Sequence, residues 1–572
     1  MKVSDYIADF LSKKGIKTVF ELSGGMITHL LDSFKQTTDI HIVTMHHEQA
    51  AAFAAEGFSR VSGLPGVALA TSGPGATNLL TGIGSCYFDS VAAIFITGQV
   101  NTHELRNDRP IRQQGFQETD IVSMVRPITK AAYLITDASN IESVFEEAFM
   151  IATKGRPGPV LIDIPMNIQR EQIEVFGTQN TAQEATVVEE VIISKLVRDI
   201  KKAKAPLVLS GRGIKASNSQ DLFTNFVDKV KIPVITSLLG LDTISYDDPL
   251  RVGFIGSYGN RWANIAFGEC DLLIVLGARL DIRQTGADTK FIENRKIYHI
   301  DCEEGEINNR VKGCEPIVSD LSDFFKSFAI YSEFQEFTIN DNWIKRISEL
   351  KKKWPDISEL SVKGINPNVL MHQLSKSSKL AKAFLADVGS HQMWASQSLE
   401  LLSGQYFLTS GGMGAMGFSL PAAIGACLAL KNAPVVVIIG DGCMQINIQE
   451  LQTIVRNDLN IKIIVLNNKS LGMITQFQES YFESRYQSTY WGYSAPDFEK
   501  IAQAYGIGAK TVDSEGEVET AVQWLWEEEN KTKPLLLQVM IEPFTNTYPK
   551  IAFGKPIIEM EPFSKPIEME GT

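Results

Sequence analysis

The sequence predicts an α/β fold made of three doubly wound parallel sheets. The chain has 572 residues, which is too long for one hydrophobic core and suggests three or four domains. Short β-branched apolar runs bounded by Gly or Pro alternate with amphipathic helical stretches along most of the chain. Such runs are typical of parallel strands that helices cover on both faces. They include GVALA (66–70), AAIFITG (92–98), PVLIDIP (159–165), PLVLSG (206–211), DLLIVLG (271–277), PVVVIIG (434–440) and IKIIVLN (461–467).

Two polar stretches divide this pattern into three units. Residues 171–190 and roughly 332–365 are rich in charge and poor in strand signals, so we interpret them as linkers. The predicted domains are therefore 1–175, 190–335 and 365–545, each with its own doubly wound sheet.

Residues 546–572 form a distinct tail. The segment GKPIIEMEPFS (554–564) is followed by KPIEMEGT (565–572), an imperfect repeat rich in Pro and Glu. Neither segment has the periodicity of a packed element. Composition favours a flexible terminus over the alternative, a flap that a ligand orders.

The composition excludes some classes of partner. The formal net charge is −13 and no sustained basic stripe is present, so we expect no nucleic-acid or anionic-membrane surface. No apolar run approaches the ~20 residues of a membrane span, and the N-terminus does not have the pattern of a signal peptide. The six cysteines are scattered without a C-x-x-C pair, which predicts free thiols in a reducing compartment. We therefore expect a cytoplasmic protein.

The strongest chemical signal lies in the third predicted domain. The strand PVVVIIG leads into Gly440-Asp441-Gly442, a helix over about 445–457 follows, and the next strand ends in Asn467-Asn468. In a parallel βαβ unit both strands end at the same edge of the sheet, so Asp441 and Asn468 are placed side by side. A carboxylate and an amide oxygen suit a hard divalent ion that also binds phosphate oxygens. Gly-Asp-Gly alone is also ordinary turn chemistry, but the pair in this order is specific.

This pair resembles the cofactor motif of thiamine-diphosphate enzymes, and further segments resemble the acetolactate synthase branch of that family. They occur in order along nearly the whole chain and are MHHEQAAAFAAEGFSR (45–60), ATSGPGATN (70–78), GFQETDIV (115–122), GRPGPVLIDIP (155–165), GGMGAMGFSLPAAIGA (411–426) and LNNKSLGMITQF (466–477). The resemblance implies pyrimidine-binding, central FAD-type and diphosphate-binding domains. It also implies a carboligase that decarboxylates pyruvate and transfers the two-carbon unit to a carbonyl acceptor.

The resemblance assigns a set of residues to the metal and the diphosphate. The side chains of Asp441 and Asn468 and the backbone carbonyl of Ser470 are implied to hold Mg²⁺ against thiamine diphosphate. Five other residues are implied to lie along the same cofactor: His391, Gly442, Cys443, Gly472 and Met473.

A second set is implied to surround the reactive end of the cofactor. Read from the residues alone, Glu48 is a carboxylate at the start of a helix over 46–60, where the helix dipole favours it. The resemblance makes Glu48 the group that activates the aminopyrimidine ring. It also implies that Met416 bends the cofactor, that the Gly414 carbonyl accepts from its amino group, that Pro74 and Asn78 border the pyrimidine, that Gly25 faces the thiazolium and that Gln117 faces the developing oxyanion.

The same resemblance implies an oligomer and a flavin. In the family the Glu48 helix and the GDG domain of one active site belong to different subunits, so a homodimer or homotetramer with active sites at the subunit interface is expected. The segments SGRG (210–213), GARLDIRQTG (277–286) and YHIDCEEGEI (298–307) are similar to those that bind FAD. The implied FAD residues are Arg156, Gly211, Arg212, Gly277, Arg279, Arg283, Asp301 and Asp320.

Several positions on the acceptor side depart from the family pattern. Phe477 stands where the family has Trp, Met166 where it has Lys, and Tyr258 where it has His. The stretch 101–114 adds three arginines, Arg106, Arg109 and Arg112. These changes suggest an acceptor other than a small 2-keto acid, such as a nucleotide-activated keto-deoxysugar. The alternative is acetolactate synthesis with a second pyruvate or 2-ketobutyrate.

Three rival functions use the same fold. One is a redox flavoenzyme, which oxygen uptake with pyruvate would reveal. A 2-keto-acid decarboxylase would protonate the two-carbon unit instead of transferring it, and it usually lacks the flavin segments. A non-catalytic relative should have lost Glu48 or the GDG and NN motifs, and all of these are present.

Overall fold

The computed structural model describes residues 1–175, 187–287, 295–338 and 340–567. It contains three six-stranded sheets and one two-stranded sheet. Every strand pair in the three large sheets is parallel, which confirms the predicted fold class. None of the helices in these described ranges is long and apolar enough to cross a membrane.

The first sheet has the strand order β2-β1-β3-β4-β6-β5. Its strands are β1 (Thr18–Leu22), β2 (His41–Thr44), β3 (Gly66–Ala70), β4 (Ala93–Gln99), β5 (Ala131–Leu134) and β6 (Pro159–Pro165). Its helices are Val3–Lys13, Thr28–Thr37, Glu48–Ser62, Pro74–Asn78, Leu80–Phe88, Ile121–Val125, Ile141–Thr153 and Met166–Arg170. The central strands β3, β4 and β6 are buried along their whole length, as expected for a sheet covered on both faces.

The second sheet has the order β12-β11-β10-β7-β8-β9. Its strands are β7 (Pro206–Ser210), β8 (Val234–Thr236), β9 (Arg251–Phe254), β10 (Leu272–Leu276), β11 (Lys296–Asp301) and β12 (Glu315–Val318). The helices of this part are Glu190–Lys202, Gly213–Ala216, Gln220–Val230, Arg261–Glu269, Ile282–Thr285 and Leu321–Tyr331.

The third sheet repeats the topology of the first, with the order β14-β13-β15-β16-β18-β17. Its strands are β13 (Ala383–Ala386), β14 (Tyr406–Leu408), β15 (Val435–Gly440), β16 (Ile461–Asn467), β17 (Gly508–Val512) and β18 (Leu535–Met540). Its helices are Pro367–Ser377, Ser390–Ser398, Ser419–Ala429, Asp441–Met444, Glu450–Arg456, Gly472–Tyr481, Phe498–Ala504 and Glu515–Trp524.

The first and third sheets are joined through two tightly packed helices. A Cβ atom added to Gly57, in helix Glu48–Ser62, would lie 2.0 Å from the carbonyl oxygen of Ala422 in helix Ser419–Ala429. A Cβ on Gly425 would lie 1.8 Å from the carbonyl oxygen of Ala54. Glycine therefore allows the two backbones to touch, and one continuous hydrophobic core spans both sheets.

Two sequence-based expectations need correction or extension. The helix expected over about 445–457 is present but shorter, at Glu450–Arg456, and a separate four-residue helix, Asp441–Met444, precedes it. The polar stretch 332–365 contains the helix Asp341–Lys353, whose Trp343, Ile347 and Leu350 are buried. Residues 176–186 of the other predicted linker lie outside the described residues, and the exact domain boundaries stay predictions.

The preference for a flexible tail is wrong for residues 546–567. Strands β19 (Lys550–Ile551) and β20 (Met560–Glu561) pair antiparallel, and Ile557 and Met560 are fully buried. Arg261 of the middle part donates to the carbonyls of Met560 (3.2 Å) and Glu561 (2.9 Å). Its guanidinium lies over the ring of Phe563 and forms a buried ion pair with Glu359. These contacts hold the tail against the middle part although few of its residues are apolar. Residues 568–572 lie outside the described part.

Candidate active site

The third sheet brings the predicted metal residues together at one crevice. The chain leaves β13 towards β14 on one side and continues with β15 on the other, so the sheet has a switch point between β13 and β15. Ligands of open α/β sheets bind at the carboxyl ends of the strands beside such a point. Asp441 directly follows β15, and Asn468 directly follows the neighbouring strand β16.

Asp441 has one carboxylate oxygen free to bind a cation. Its Oδ1 atom accepts from the backbone N–H of Gly442 (3.0 Å). Its Oδ2 atom is buried and has no hydrogen-bond partner among the described residues. Burial raises the pKa of Asp441 to about 7, which is the expected response of a carboxyl group that lacks a nearby positive charge. A divalent ion would supply that charge.

The residues after β16 complete an oxygen-rich site. Oδ1 of Asn468 accepts from the N–H of Ser470 (3.3 Å). The Ser470 hydroxyl donates to the carbonyl of Pro543 (3.0 Å), so its side chain is already engaged. A Cβ on Gly472 would lie 2.9 Å from Oγ of Ser390, a buried hydroxyl without a partner in the described chain. Carboxylate, amide and hydroxyl oxygens with unused capacity fit Mg²⁺ and a diphosphate.

Three further predicted cofactor residues lie near the same crevice. Nε2 of His391 accepts from the N–H of Gly440 (3.2 Å), and burial lowers the pKa of His391 to about 3, so the ring is neutral. The Cys443 thiol donates to the carbonyl of Val388 (3.0 Å). Met473 is half-buried at the start of helix Gly472–Tyr481.

Asp387, at the end of β13, is a buried residue of this crevice that the sequence interpretation missed. Its carboxylate accepts from the N–H of Gly417 (2.9 Å) and from the N–H and hydroxyl of Ser419 (2.7 and 2.8 Å). It thereby anchors the loop that contains Gly414 and Met416. The signal was present, because Asp387 ends an apolar run four residues before His391.

Gly414 and Met416 lie on that loop beside the metal residues. Gly414 has a left-handed φ of +65°, and the space where a Cβ would stand is open. The terminal methyl of Met416 lies 3.4 Å from the point where a Cβ on Gly442 would stand. The structure therefore places Met416 next to the GDG motif.

Glu48 is the first residue of helix Glu48–Ser62 and is 6% exposed. Its Oε2 atom accepts from Nδ2 of Asn78 (2.9 Å), and its Oε1 atom lies 3.1 Å from the Cβ position of Gly75. Pro74 begins the short helix that ends at Asn78. The structure thus groups Glu48, Pro74 and Asn78, and it shows no hydrogen bond between Glu48 and the GDG residues.

Gln117 and Gly25 lie on loops at the same edge of the first sheet. Gln117 has a left-handed φ of 67°, and its Cβ atom lies 3.0 Å from the Cβ position of Gly73. Gln99, buried at the end of β4, donates to the carbonyl of Thr119 (2.8 Å) and to Asp163 (2.8 Å), and so holds the Gln117 loop. Gly25 begins a short 3₁₀ turn, with open space at its Cβ position.

The predicted FAD residues surround a second cavity, next to the switch point between β7 and β10 of the middle sheet. All of them except Gly211 line this cavity. A Cβ on Gly211 would lie 2.1 Å from the carbonyl oxygen of Gly277, so this glycine lets the two strand ends approach. Nε of Arg212 is buried and has no partner among the described residues. Burial, with the charge of Arg60, lowers the pKa of Arg212 to about 10.

The other polar residues of this cavity are partly engaged. Arg156 forms ion pairs with Glu303 (2.8 Å) and Glu306 (2.9 Å), and Arg279 pairs with Asp281 (3.0 Å). The following residues also line the wall: Asp301, whose Oδ1 accepts from the N–H of Glu303, Asp320, which caps helix Leu321–Tyr331, and Arg283. A free guanidinium nitrogen in a cavity at a switch point fits an anionic dinucleotide.

The acceptor-side substitutions do not meet in one cavity of the described chain. Tyr258 lines the middle cavity, Met166 begins the helix after β6, and Phe477 packs against Tyr481 and Phe482. The Arg109 side chain donates to the carbonyls of Leu105 and Arg106 in its own loop.

Comparison with known proteins assigns all three parts of the chain. Residues 1–124, 193–328 and 387–539 match the N-terminal binding domain, the central domain and the C-terminal binding domain of thiamine pyrophosphate enzymes. A probable acetolactate synthase large subunit of Methanocaldococcus jannaschii is 37% identical over 95% of this chain and 92% of its own length.

Bacterial proteins give the same result. The acetolactate synthase large subunit of Lactococcus lactis is 34% identical over 96% of this chain and 94% of its own. The isozyme 2 large subunit of Escherichia coli is 33% identical over 98% of this chain and 99% of its own. With the three matching domains and the metal crevice, these similarities show that the chain is a thiamine-diphosphate-dependent carboligase that belongs to the acetolactate synthase family.

Proposed function

We propose that this protein decarboxylates pyruvate and joins the two-carbon unit to a second 2-keto acid, with thiamine diphosphate and Mg²⁺ as cofactors. The observation that carries the proposal is the crevice at Asp441, where a carboxylate oxygen and the Ser390 hydroxyl are buried without partners. The names of the relatives, acetolactate synthases, support pyruvate as donor. All six cysteines are free thiols, which supports a cytoplasmic location.

The residues of the crevice would hold the cofactor rather than take part in covalent chemistry. Asp441, Asn468 and the carbonyl of Ser470 would bind Mg²⁺, and Gly442 and Gly472 would let the backbone approach the diphosphate. His391 would face this group as a neutral ring. Thiamine diphosphate, when bound, supplies the electron sink for the bond that breaks as CO₂ leaves.

Glu48 would hold and move the proton that activates the cofactor. It begins a helix that is locked against helix Ser419–Ala429, so its carboxylate has a fixed position. Gln117, on a loop anchored by Gln99, would donate to the oxyanion that develops on the substrate carbonyl. Because Glu48 bonds to Asn78 rather than to the GDG crevice, we propose a homodimer or a homotetramer in which each active site combines Glu48 of one subunit with Asp441 of another.

FAD would occupy the middle cavity. The support is the cluster of predicted residues around one switch point and the unpartnered guanidinium nitrogen of Arg212. Arg212 and Arg279 would meet the pyrophosphate, and Asp301 would accept from a ribose hydroxyl. We expect the purified protein to show flavin absorbance, and Asp301→Asn to lower the flavin content.

A nucleotide-activated keto-sugar is the second candidate acceptor. It is favoured by the replacement of the family residues at Met166, Phe477 and Tyr258. The relatives support the 2-keto acid instead, and the substituted residues lie in separate parts of one chain.

One assay distinguishes acetolactate synthesis, transfer to a keto-sugar and simple decarboxylation. Purified protein with thiamine diphosphate, Mg²⁺, FAD and pyruvate is followed for CO₂, acetolactate and acetaldehyde, and Glu48→Gln is the matched inactive control. We expect one acetolactate for every CO₂ released. Slow CO₂ release that a nucleotide keto-sugar accelerates would show that the keto-sugar, not a 2-keto acid, is the acceptor. Acetaldehyde as the main product would show that the protein is a decarboxylase.

A further inference from the structure

A tyrosine outside every predicted motif reaches the metal crevice. Tyr493 lies between helix Gly472–Tyr481 and helix Phe498–Ala504. The N–H of Leu471 donates to the carbonyl of Thr489 (2.9 Å), and the buried Thr489 hydroxyl donates to Gln478. The segment that contains Tyr493 is therefore tied to the residue that directly follows Ser470.

The phenol oxygen of Tyr493 lies at the end of β15. It is 3.2 Å from the point where a Cβ on Gly442 would stand, and Cδ2 of Leu471 (2.7 Å) and Cε of Met416 (3.4 Å) surround the same point. The ring of Tyr493 is half-buried, but its hydroxyl is fully buried. The hydroxyl thus enters the crevice between the GDG motif and the loop of Met416.

Two unpartnered polar atoms face this space. Neither the Tyr493 hydroxyl nor Oδ2 of Asp441 has a hydrogen-bond partner among the described residues. A phenol donates one hydrogen bond and an ionised carboxylate only accepts, so a small rotation satisfies both. A buried hydroxyl left unbonded would be costly.

We propose that Tyr493 is a positioning residue: its hydroxyl donates to the Asp441 carboxylate and holds it in the orientation that a divalent cation requires. Groups that hydrogen-bond to a metal ligand fix its geometry, and their loss typically lowers metal affinity by about 10–100-fold. The inference rests on the proposed Mg²⁺ site and adds to it a residue that none of the predicted motifs contains.

The test is Tyr493→Phe, which removes one oxygen atom and keeps the ring. The matched control is Tyr490→Phe in the same segment, since Tyr490 is 39% exposed and packs on Phe544. Mg²⁺ is titrated into each protein at saturating thiamine diphosphate, with tryptophan fluorescence as the binding signal. Affinity for thiamine diphosphate at saturating Mg²⁺ is measured separately, and thermal unfolding checks the fold.

We expect the Mg²⁺ dissociation constant of Tyr493→Phe to be about tenfold higher than that of the wild type. The Mg²⁺ dissociation constant of the control, Tyr490→Phe, should stay within about twofold of the wild type. At saturating Mg²⁺, the affinity of Tyr493→Phe for thiamine diphosphate should also stay within about twofold. An unchanged Mg²⁺ constant would overturn the inference. So would an equal loss of thiamine diphosphate affinity at saturating Mg²⁺, which would assign the hydroxyl to the diphosphate. These measurements report binding and do not depend on the product assay. A wild-type protein that binds both cofactors but forms no acetolactate would refute the proposed function and leave the inference about Tyr493 intact.

Discussion

The contact between helices Glu48–Ser62 and Ser419–Ala429 makes the substitution Gly57→Ala informative. The added Cβ would lie 2.0 Å from the carbonyl oxygen of Ala422, and real Cβ contacts are almost never shorter than 3.0 Å. The helices must therefore separate by at least about 1 Å, and overpacking of this kind costs typically about 1–3 kcal/mol. Alanine regains only about 0.5–1 kcal/mol of helix propensity, so we expect a net loss of stability.

The same shift should affect activity, because Glu48 begins this helix. A displacement of about 1 Å can cost about 10²-fold in rate, so we expect kcat for acetolactate formation to fall by that order. The matched control is Gly516→Ala, at the second residue of helix Glu515–Trp524, where the added Cβ meets open space. This change should be neutral or stabilising by at most about 0.5 kcal/mol, with normal activity. Chemical unfolding and steady-state kinetics give both quantities. A Gly57→Ala protein as stable and active as the control would refute the packing argument.

Three other substitutions have defined outcomes. Burial raises the pKa of Asp441 to about 7, so ionisation of this group lowers the stability of the apoprotein as the pH rises from 4 to 7. Asp441→Asn should therefore melt at a higher temperature than wild type at pH 8 without cofactors. The same variant should not be stabilised by Mg²⁺ and thiamine diphosphate. Burial disfavours protonation of His372, but hydrogen bonds to Asp356 (2.9 Å) and Glu400 (2.8 Å) outweigh it and raise the His372 pKa. This stabilisation is complete below about pH 6.5 and disappears as the pH rises through the raised value, so the melting difference between wild type and His372→Gln should shrink in alkaline buffer; a constant difference would contradict it. Arg261→Lys loses the two-pronged pair with Glu359, so trypsin should cleave the tail after Lys550 faster than in wild type. Equal cleavage rates would show that other contacts hold the tail.

Local patterns in the sequence were enough to predict the fold class and several of the buried strands. Buried parallel strands need continuous apolar runs, and the run 434–440 differs from the observed β15 (Val435–Gly440) by one residue. The edge strand β17 is mostly exposed, so an argument from buried runs does not reach it. The helix expected over 445–457 begins only at Glu450. In the turn before it, Nδ2 of Asn447 donates to the carbonyl of Gly417 (2.8 Å), a contact that no local pattern contains.

The site was predictable where its residues adjoin a strand end or a motif. Asp441 and Asn468 follow strands that pair in the sheet, so their proximity follows from topology alone. The contacts of Tyr493 with the crevice, and of Arg261 with the tail, join segments that are far apart in sequence. The composition of the tail alone had favoured a flexible terminus. Two backbone carbonyls of the tail, those of Met560 and Glu561, accept hydrogen bonds from the buried Arg261, and no property of the tail sequence itself indicates this contact.

The most direct test of the account is whether this chain activates thiamine diphosphate through Glu48. The measurement is the rate at which the C2 proton of the bound cofactor exchanges with deuterium, followed by NMR after acid quench in wild type and Glu48→Gln. Positioned acid–base groups contribute typically about 10²–10⁴-fold. We predict exchange faster than in free cofactor by at least about 10²-fold in wild type, and loss of most of this acceleration in Glu48→Gln. Equal exchange rates in the two proteins would contradict the role assigned to Glu48 and the mechanism built on it.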